Sequence, residues 1–126
     1  MIEKLALIAA GGAIGAVARF LAAAWFGRLV GAGFMGTMFV NIVGSFAMGV
    51  LAVLLIEKMI GGWGRLAPFM MTGMLGAFTT FSAFSLDALN LIERGRMAAA
   101  AGYICGSVVL SVLALLAGLA MARAVA

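Results

Sequence analysis

Three groups of polar side chains lie in stretches otherwise too apolar to face water. Thr37 and Asn41 stand four residues apart, one helical turn, and so share a helix face. Tyr103, Ser107 and Ser111 repeat at the same spacing on another segment. Thr79, Thr80, Ser82, Ser85 and Asp87 follow in close order, interleaved with Phe81 and Phe84. A polar group left unpaired away from water costs roughly 2–7 kcal/mol, so each group needs a reason to be there. An isolated Ser or Thr most simply bonds its own helix backbone, and bonds between helices in lipid are worth only about 0.6 kcal/mol on average. Three groups on three segments fit one narrow polar path better than three separate ties. What they offer is hydroxyl and amide donors and the positive edges of phenylalanine rings. That chemistry suits a small anion, and Arg19 on the first segment would concentrate anions at a mouth.

Other chemistries are poorly provided for. The chain has no histidine and four scattered carboxylates, which argues against a zinc or di-metal centre. Cys105 is the single cysteine, so no intrachain disulfide is possible, and it reads as a small packing residue. No carboxylate stands near the centre of an apolar stretch, where a proton-coupled cation carrier would be expected to hold one.

The elements that position these groups follow from composition. Of 126 residues, 67% are hydrophobic and 10% charged, against about 25% charged in ordinary soluble domains. So few charges cannot cover a globule, and the expected fold class is an all-α integral membrane protein. A span needs roughly 20 apolar residues. The runs predict four transmembrane helices, over approximately 4–26, 34–57, 66–92 and 97–122, in a single membrane domain covering 1–126. Gly27, Arg28, Gly31 and Gly33 mark the first connector, and Gly61 to Arg65 a turn in which Trp63 is an interfacial anchor. Lys4 followed by Leu5 to Ala18 has the look of a signal peptide, but its removal would leave three helices without cargo, so it is expected to stay as the first span.

Small residues recur at packing spacing, at Gly11 and Gly15, Ser45 and Gly49, and Gly102 and Gly106. The third segment is unlike the others. Glycines, then paired Thr79-Thr80, make poor material for a continuous lipid-facing helix. Two readings stay open from these residues alone: a glycine-softened helix, or an unwound stretch whose carbonyls line a cavity.

The eight basic residues divide evenly. With four spans, Lys4, Lys58, Arg65 and Arg123 fall on one face and Arg19, Arg28, Arg94 and Arg96 on the other. Basic residues set orientation by their bias towards the cytoplasm, and a chain without bias is predicted to insert both ways. An antiparallel homodimer is then a natural assembly. At a pI near 10.3 these residues are expected to meet lipid headgroups rather than nucleic acid.

Three stretches carry a family resemblance. Gly12 to Arg19 resembles a GxxGAxxR signature, Gly36 to Phe46 a GTxxVNxxGxF motif, and Gly73 to Ser85 a GxxGGxTTFSTFS box. In this order, and across nearly the whole chain, they resemble the Fluc family of fluoride channels, also called CrcB proteins.

The resemblance implies an antiparallel, dual-topology homodimer whose third helix is broken near its middle. Its two pores, each built by both subunits, would pass fluoride passively out of the cytoplasm across a bacterial plasma membrane. No enzymatic activity is implied. Asn41 would offer an amide donor in the pore, Phe81 and Phe84 their ring edges, and Tyr103, Ser107 and Ser111 a polar rail. Thr37 and Asp87 would stand near one end, with Arg19 in the vestibule. A structural sodium ion would be held at the dimer centre by the backbone carbonyls of Gly76 and Thr79. The chain departs from the pattern at Ala77, in place of a second glycine, at Ala83, in place of a hydroxyl, and at Asp87, where glutamate is common. The alternative is a small multidrug-type proton-coupled cation antiporter, which needs an embedded acid that the first segment lacks beyond Glu3.

Overall fold

The computed structural model describes residues 1–126, apart from the side chain of Ile60. Helix α1 spans Ile2–Val30 and ends at Gly31, whose φ of 79° a residue with a side chain rarely adopts. Gly27 and Arg28, expected in the connector, lie within this helix. The turn back is tight enough that a side chain at Gly27 would press on Gly33. Helix α2 spans Gly33–Glu57, and its last turns, Ala52–Glu57, widen to π-helical geometry. A short 3-10 turn, Ile60–Leu66, reverses the chain through Gly61 and Gly62, both at positive φ. Helix α3 covers residues 68–78, π-helical over Pro68–Leu75 and closed by the single turn Gly76–Phe78. Helix α4 spans Phe81–Glu93 and α5 spans Met97–Val125.

Among the described residues, four stretches are long and apolar enough to cross a bilayer: α1, α2, α5, and Pro68–Glu93, which holds α3 and α4. The chain is thus an all-helical, multi-pass membrane protein. Large apolar side chains such as Phe20, Val17 and Leu113 stay exposed along these helices, as lipid-facing surfaces require.

In lipid no hydrophobic force draws helices together, so close backbone approach must hold them. Glycine supplies it here. A Cβ at Gly11 or Gly15 would overlap the backbone of α3 at Phe69 or Met74. One at Gly36 would overlap the Ala23 carbonyl of α1, and one at Gly49 the Leu115 carbonyl of α5. Gly102 differs from the pattern expected of it: among the described residues no other helix lies within 4 Å of a Cβ built on it. Cys105 is likewise exposed.

Two contacts fix the ends of the bundle. Arg123 Nε donates to Glu57 Oε2 at 3.1 Å, joining the C-terminal ends of α2 and α5. At the opposite end Arg96 sits 5.9 Å from the centroid of the Phe34 ring. The main buried cluster, Phe84, Ala88, Leu91, Ala100 and Tyr103, lies between α4 and α5 and is flanked by Phe34 and Met38 of α2.

Candidate functional site

The third span is where the backbone departs from a helix. Thr79 has φ −84° and ψ 155°, and Thr80 has φ −151° and ψ 120°, both extended. Extended residues at membrane depth leave N–H and C=O groups without helical partners, and in lipid these must be satisfied internally. Asn41 of α2 does so. Its Nδ2 donates to the Thr80 carbonyl at 3.0 Å, and the Thr80 N–H donates to its Oδ1 at 2.7 Å. One amide therefore pairs both backbone polar groups of Thr80, much as a residue on a neighbouring strand would. The Thr80 hydroxyl then starts α4 by accepting the Ala83 N–H at 3.1 Å.

An amide nitrogen carries two hydrogens, so Asn41 keeps one N–H free beside a cavity of about 270 Å³. Around that cavity stand Phe81 and Phe84, Thr79 and Thr80, and Ser107 and Ser111 of α5. Ser107 is buried at 5% exposure, and its hydroxyl has no hydrogen-bond partner among the described residues. The two phenylalanine rings lie 5.4 Å apart but differ in setting. Phe84 is packed at 8% exposure, whereas Phe81 is 78% exposed and has no cover on its outer side within the chain.

A second polar group adjoins the first. Thr37 Oγ1 donates to Asp87 Oδ2 at 2.7 Å, and the Tyr103 hydroxyl approaches the same oxygen at 3.4 Å. Thr37 and Thr80 also line a larger groove of about 620 Å³ that holds Arg19 and Arg28. Of the residues read as a site from sequence, the structure gathers Asn41, Thr79, Phe81, Phe84, Ser107 and Ser111 around one cavity. It sets Thr37, Asp87 and Tyr103 in a hydrogen-bonded cluster, and Arg19 in the adjoining groove. Gly76 borders neither cavity and lies exposed in the single turn before the break.

Ser45 is an addition. It reads in the sequence as a small packing residue, yet it lines the cavity with Asn41. The signal was available, since it stands four residues after Asn41 on the same helix face. Ser85 goes the other way, its hydroxyl donating to the Phe81 carbonyl of its own helix at 2.9 Å.

The sequence that builds this site is similar to known ones. The family described as CrcB-like protein, Camphor Resistance (CrcB), matches residues 6–119. The chain belongs to the CrcB family. Among similar CrcB relatives is the fluoride-specific ion channel FluC of Cereibacter sphaeroides, 56% identical over 98% of this chain and 97% of its own. The protein of the same name from Paracoccus denitrificans is 53% identical over 92% of this chain and 91% of its own. That from Agrobacterium fabrum is 50% identical, covering 95% and 96% respectively. CrcB membership removes the support for an antiporter, and the protein is a membrane channel rather than an enzyme.

Proposed function

We propose that this chain is a passive, fluoride-selective channel that exports fluoride across the plasma membrane of a bacterium. The observation that carries the reading is the cavity at the Thr79-Thr80 break, where the spare N–H of Asn41, the unpartnered Ser107 hydroxyl and two phenylalanine rings converge. Fluoride is small and strongly hydrated, so a pore must replace its water with close donors while holding it loosely enough to release it. Hydroxyl, amide and ring-edge groups meet both needs, and no fixed cation in the cavity would trap the ion. Ser111, Ser107 and Tyr103 continue the donors along α5 towards Thr37 and Asp87, and Arg19 draws anions into the adjoining groove. The names of the relatives support the choice of ion.

The working unit is an antiparallel homodimer inserted both ways, with two pores. The even division of basic residues supports this, as does a Phe81 ring without outer cover in its own chain. The break in the third span also offers a place for sodium. The Thr80 N–H, which a continuous helix would direct to the Gly76 carbonyl, goes to Asn41 instead. The Ala83 N–H, which a continuous helix would direct to the Thr79 carbonyl, goes to the Thr80 hydroxyl. Carbonyls of Gly76 and Thr79 left in this way suit a hard cation at the dimer centre, where it would hold the two breaks together.

The test is efflux from proteoliposomes loaded with potassium fluoride, followed with a fluoride electrode after adding a potassium ionophore. Rapid fluoride release without proton coupling, and none of chloride, is expected. Fluoride retained at the rate of protein-free vesicles would exclude the channel.

A further inference from the structure

Beside the Asp87 end of the path lies a separate cavity of about 240 Å³. Asp87 and Asn90 of α4 line it together with Arg94 and Arg96 from the connector to α5, and with Gly33 and Phe34 at the start of α2. It shares Gly33 with the Arg19 groove, and the Thr37–Asp87 hydrogen bond joins a residue of one cavity to a residue of the other. A carboxylate beside an anion's route repels it. Two guanidiniums in the same small space turn the local charge from −1 to +1. Neither is consumed by that carboxylate, because the ion pair among the described residues is Arg123–Glu57 at the far end of the bundle. Arg96 also caps the start of the 29-residue helix α5 without side-chain help, which leaves that helix's positive end facing the same region.

A continuous row of side chains leads from this cavity inward. The Arg96 guanidinium lies 5.9 Å from the Phe34 centroid, and Phe34 meets Tyr103 edge-on at 5.2 Å. Tyr103 packs on Phe84 at 5.3 Å, and Phe84 on Phe81 at 5.4 Å. The cation at the surface is thus coupled by direct contact to the rings of the inner cavity.

We propose that the cavity of Asp87, Asn90, Arg94 and Arg96 is an anion-binding mouth that receives or releases the conducted ion at the Asp87 end of the path. This rests on the channel reading above. The chemistry is that of a compact anion accepting several N–H groups. A free inorganic anion and a lipid phosphate share it, and the mouth is assigned to the free anion.

The experiment compares wild type with R94Q/R96Q and R94K/R96K in proteoliposomes, measuring initial fluoride efflux at low and at high concentrations of an impermeant salt. Charge that concentrates an anion acts strongly at low ionic strength and is screened at high. The Gln pair is expected to lose about tenfold in rate at low salt and to converge on wild type at high salt. The Lys pair, which keeps the charge but not the forked donors, should lose less than the Gln pair at low salt and converge with it at high salt. A rate for the Gln pair equal to wild type at low salt would overturn the mouth, and so would a deficit that salt leaves unchanged. Vesicles of neutral lipid only, compared with vesicles containing anionic lipid, separate the two anion sources. A deficit confined to anionic vesicles would assign the arginines to headgroups and overturn the proposal. If the Gln pair fails to fold, Asn90→Asp applies the same test by adding a negative charge to the cavity, with the same salt-sensitive loss expected. Wild-type vesicles that release no fluoride would remove the channel reading itself, a result distinct from any difference between variants.

Discussion

Asn41 holds both backbone hydrogen bonds of Thr80, so a change there acts on backbone and pathway together. In Asn41→Asp the remaining oxygen still accepts the Thr80 N–H, but the group facing the Thr80 carbonyl becomes an acceptor instead of a donor. A buried acceptor facing another acceptor costs about 1–3 kcal/mol, more when one is charged. The cavity also gains a negative charge where an anion must pass. Asn41→Asp should therefore reduce fluoride efflux by at least about tenfold and lower the midpoint of thermal unfolding in detergent. Wild-type efflux from this variant would show that the clamp and the pathway are separate. Ser107 shows the complementary principle. A hydroxyl at 5% exposure with no partner among the described residues costs free energy unless something else approaches it.

At the scale of elements, glycines decide how near the helices come. Gly49 meets the Leu115 carbonyl so closely that a Cβ has no room, and the obstacle is backbone, which cannot turn aside as a side chain can. Gly49→Val should force α2 and α5 apart and destabilise the protein by about 1–3 kcal/mol or more, read as a lower unfolding temperature in detergent. Gly102→Ala is the control. It belongs to the same class of small-residue pair in the sequence, yet among the described residues nothing beyond its own stretch of helix lies within 4 Å of its added Cβ. The unfolding temperature should not fall, since alanine inside a helix is at least as favourable as glycine. An equal loss from both substitutions would mean that α2–α5 contact is not what Gly49 provides. The third span shows a different rule at this scale. Its helix stops at Phe78 and resumes at Phe81, because Asn41 and the Thr80 hydroxyl supply the bonds that the backbone gives up.

For the whole molecule, the even distribution of basic residues bears on insertion. Four on each face leave no bias to orient the chain. In cells making Ala126→Cys in a Cys105→Ser background, an impermeant thiol reagent should label about half of the molecules from outside. Labelling of all copies, or of none, would remove dual topology and with it the antiparallel dimer. The two end contacts, Arg123 with Glu57 and Arg96 with Phe34, are solvent-side features of a single fold and hold in either orientation. An exposed ion pair such as the first is worth about 0–1 kcal/mol, so it marks the end of the bundle more than it stabilises it.

Four apolar helices were legible from composition and run length alone, because lipid admits few other solutions for 126 residues with so few charges. The candidate polar residues were legible for the same reason, since each is costly in an apolar run and therefore stands out. Their grouping was not legible. Helical spacing places Thr37 and Asn41 on one face, but only the packed chain sends Thr37 to Asp87 and Asn41 to the Thr80 backbone. Sequence left the third span open between a softened helix and an unwound stretch, because the partner that decides it lies 39 residues away on another helix. Likewise Gly102 and Gly49 look alike in sequence and differ in the fold, since what a glycine accommodates is set by the element opposite it. Residue type and spacing determined which groups were available. Tertiary contact decided which of them were already spent on one another and which, like Ser107 and the second Asn41 N–H, were left without a partner among the described residues.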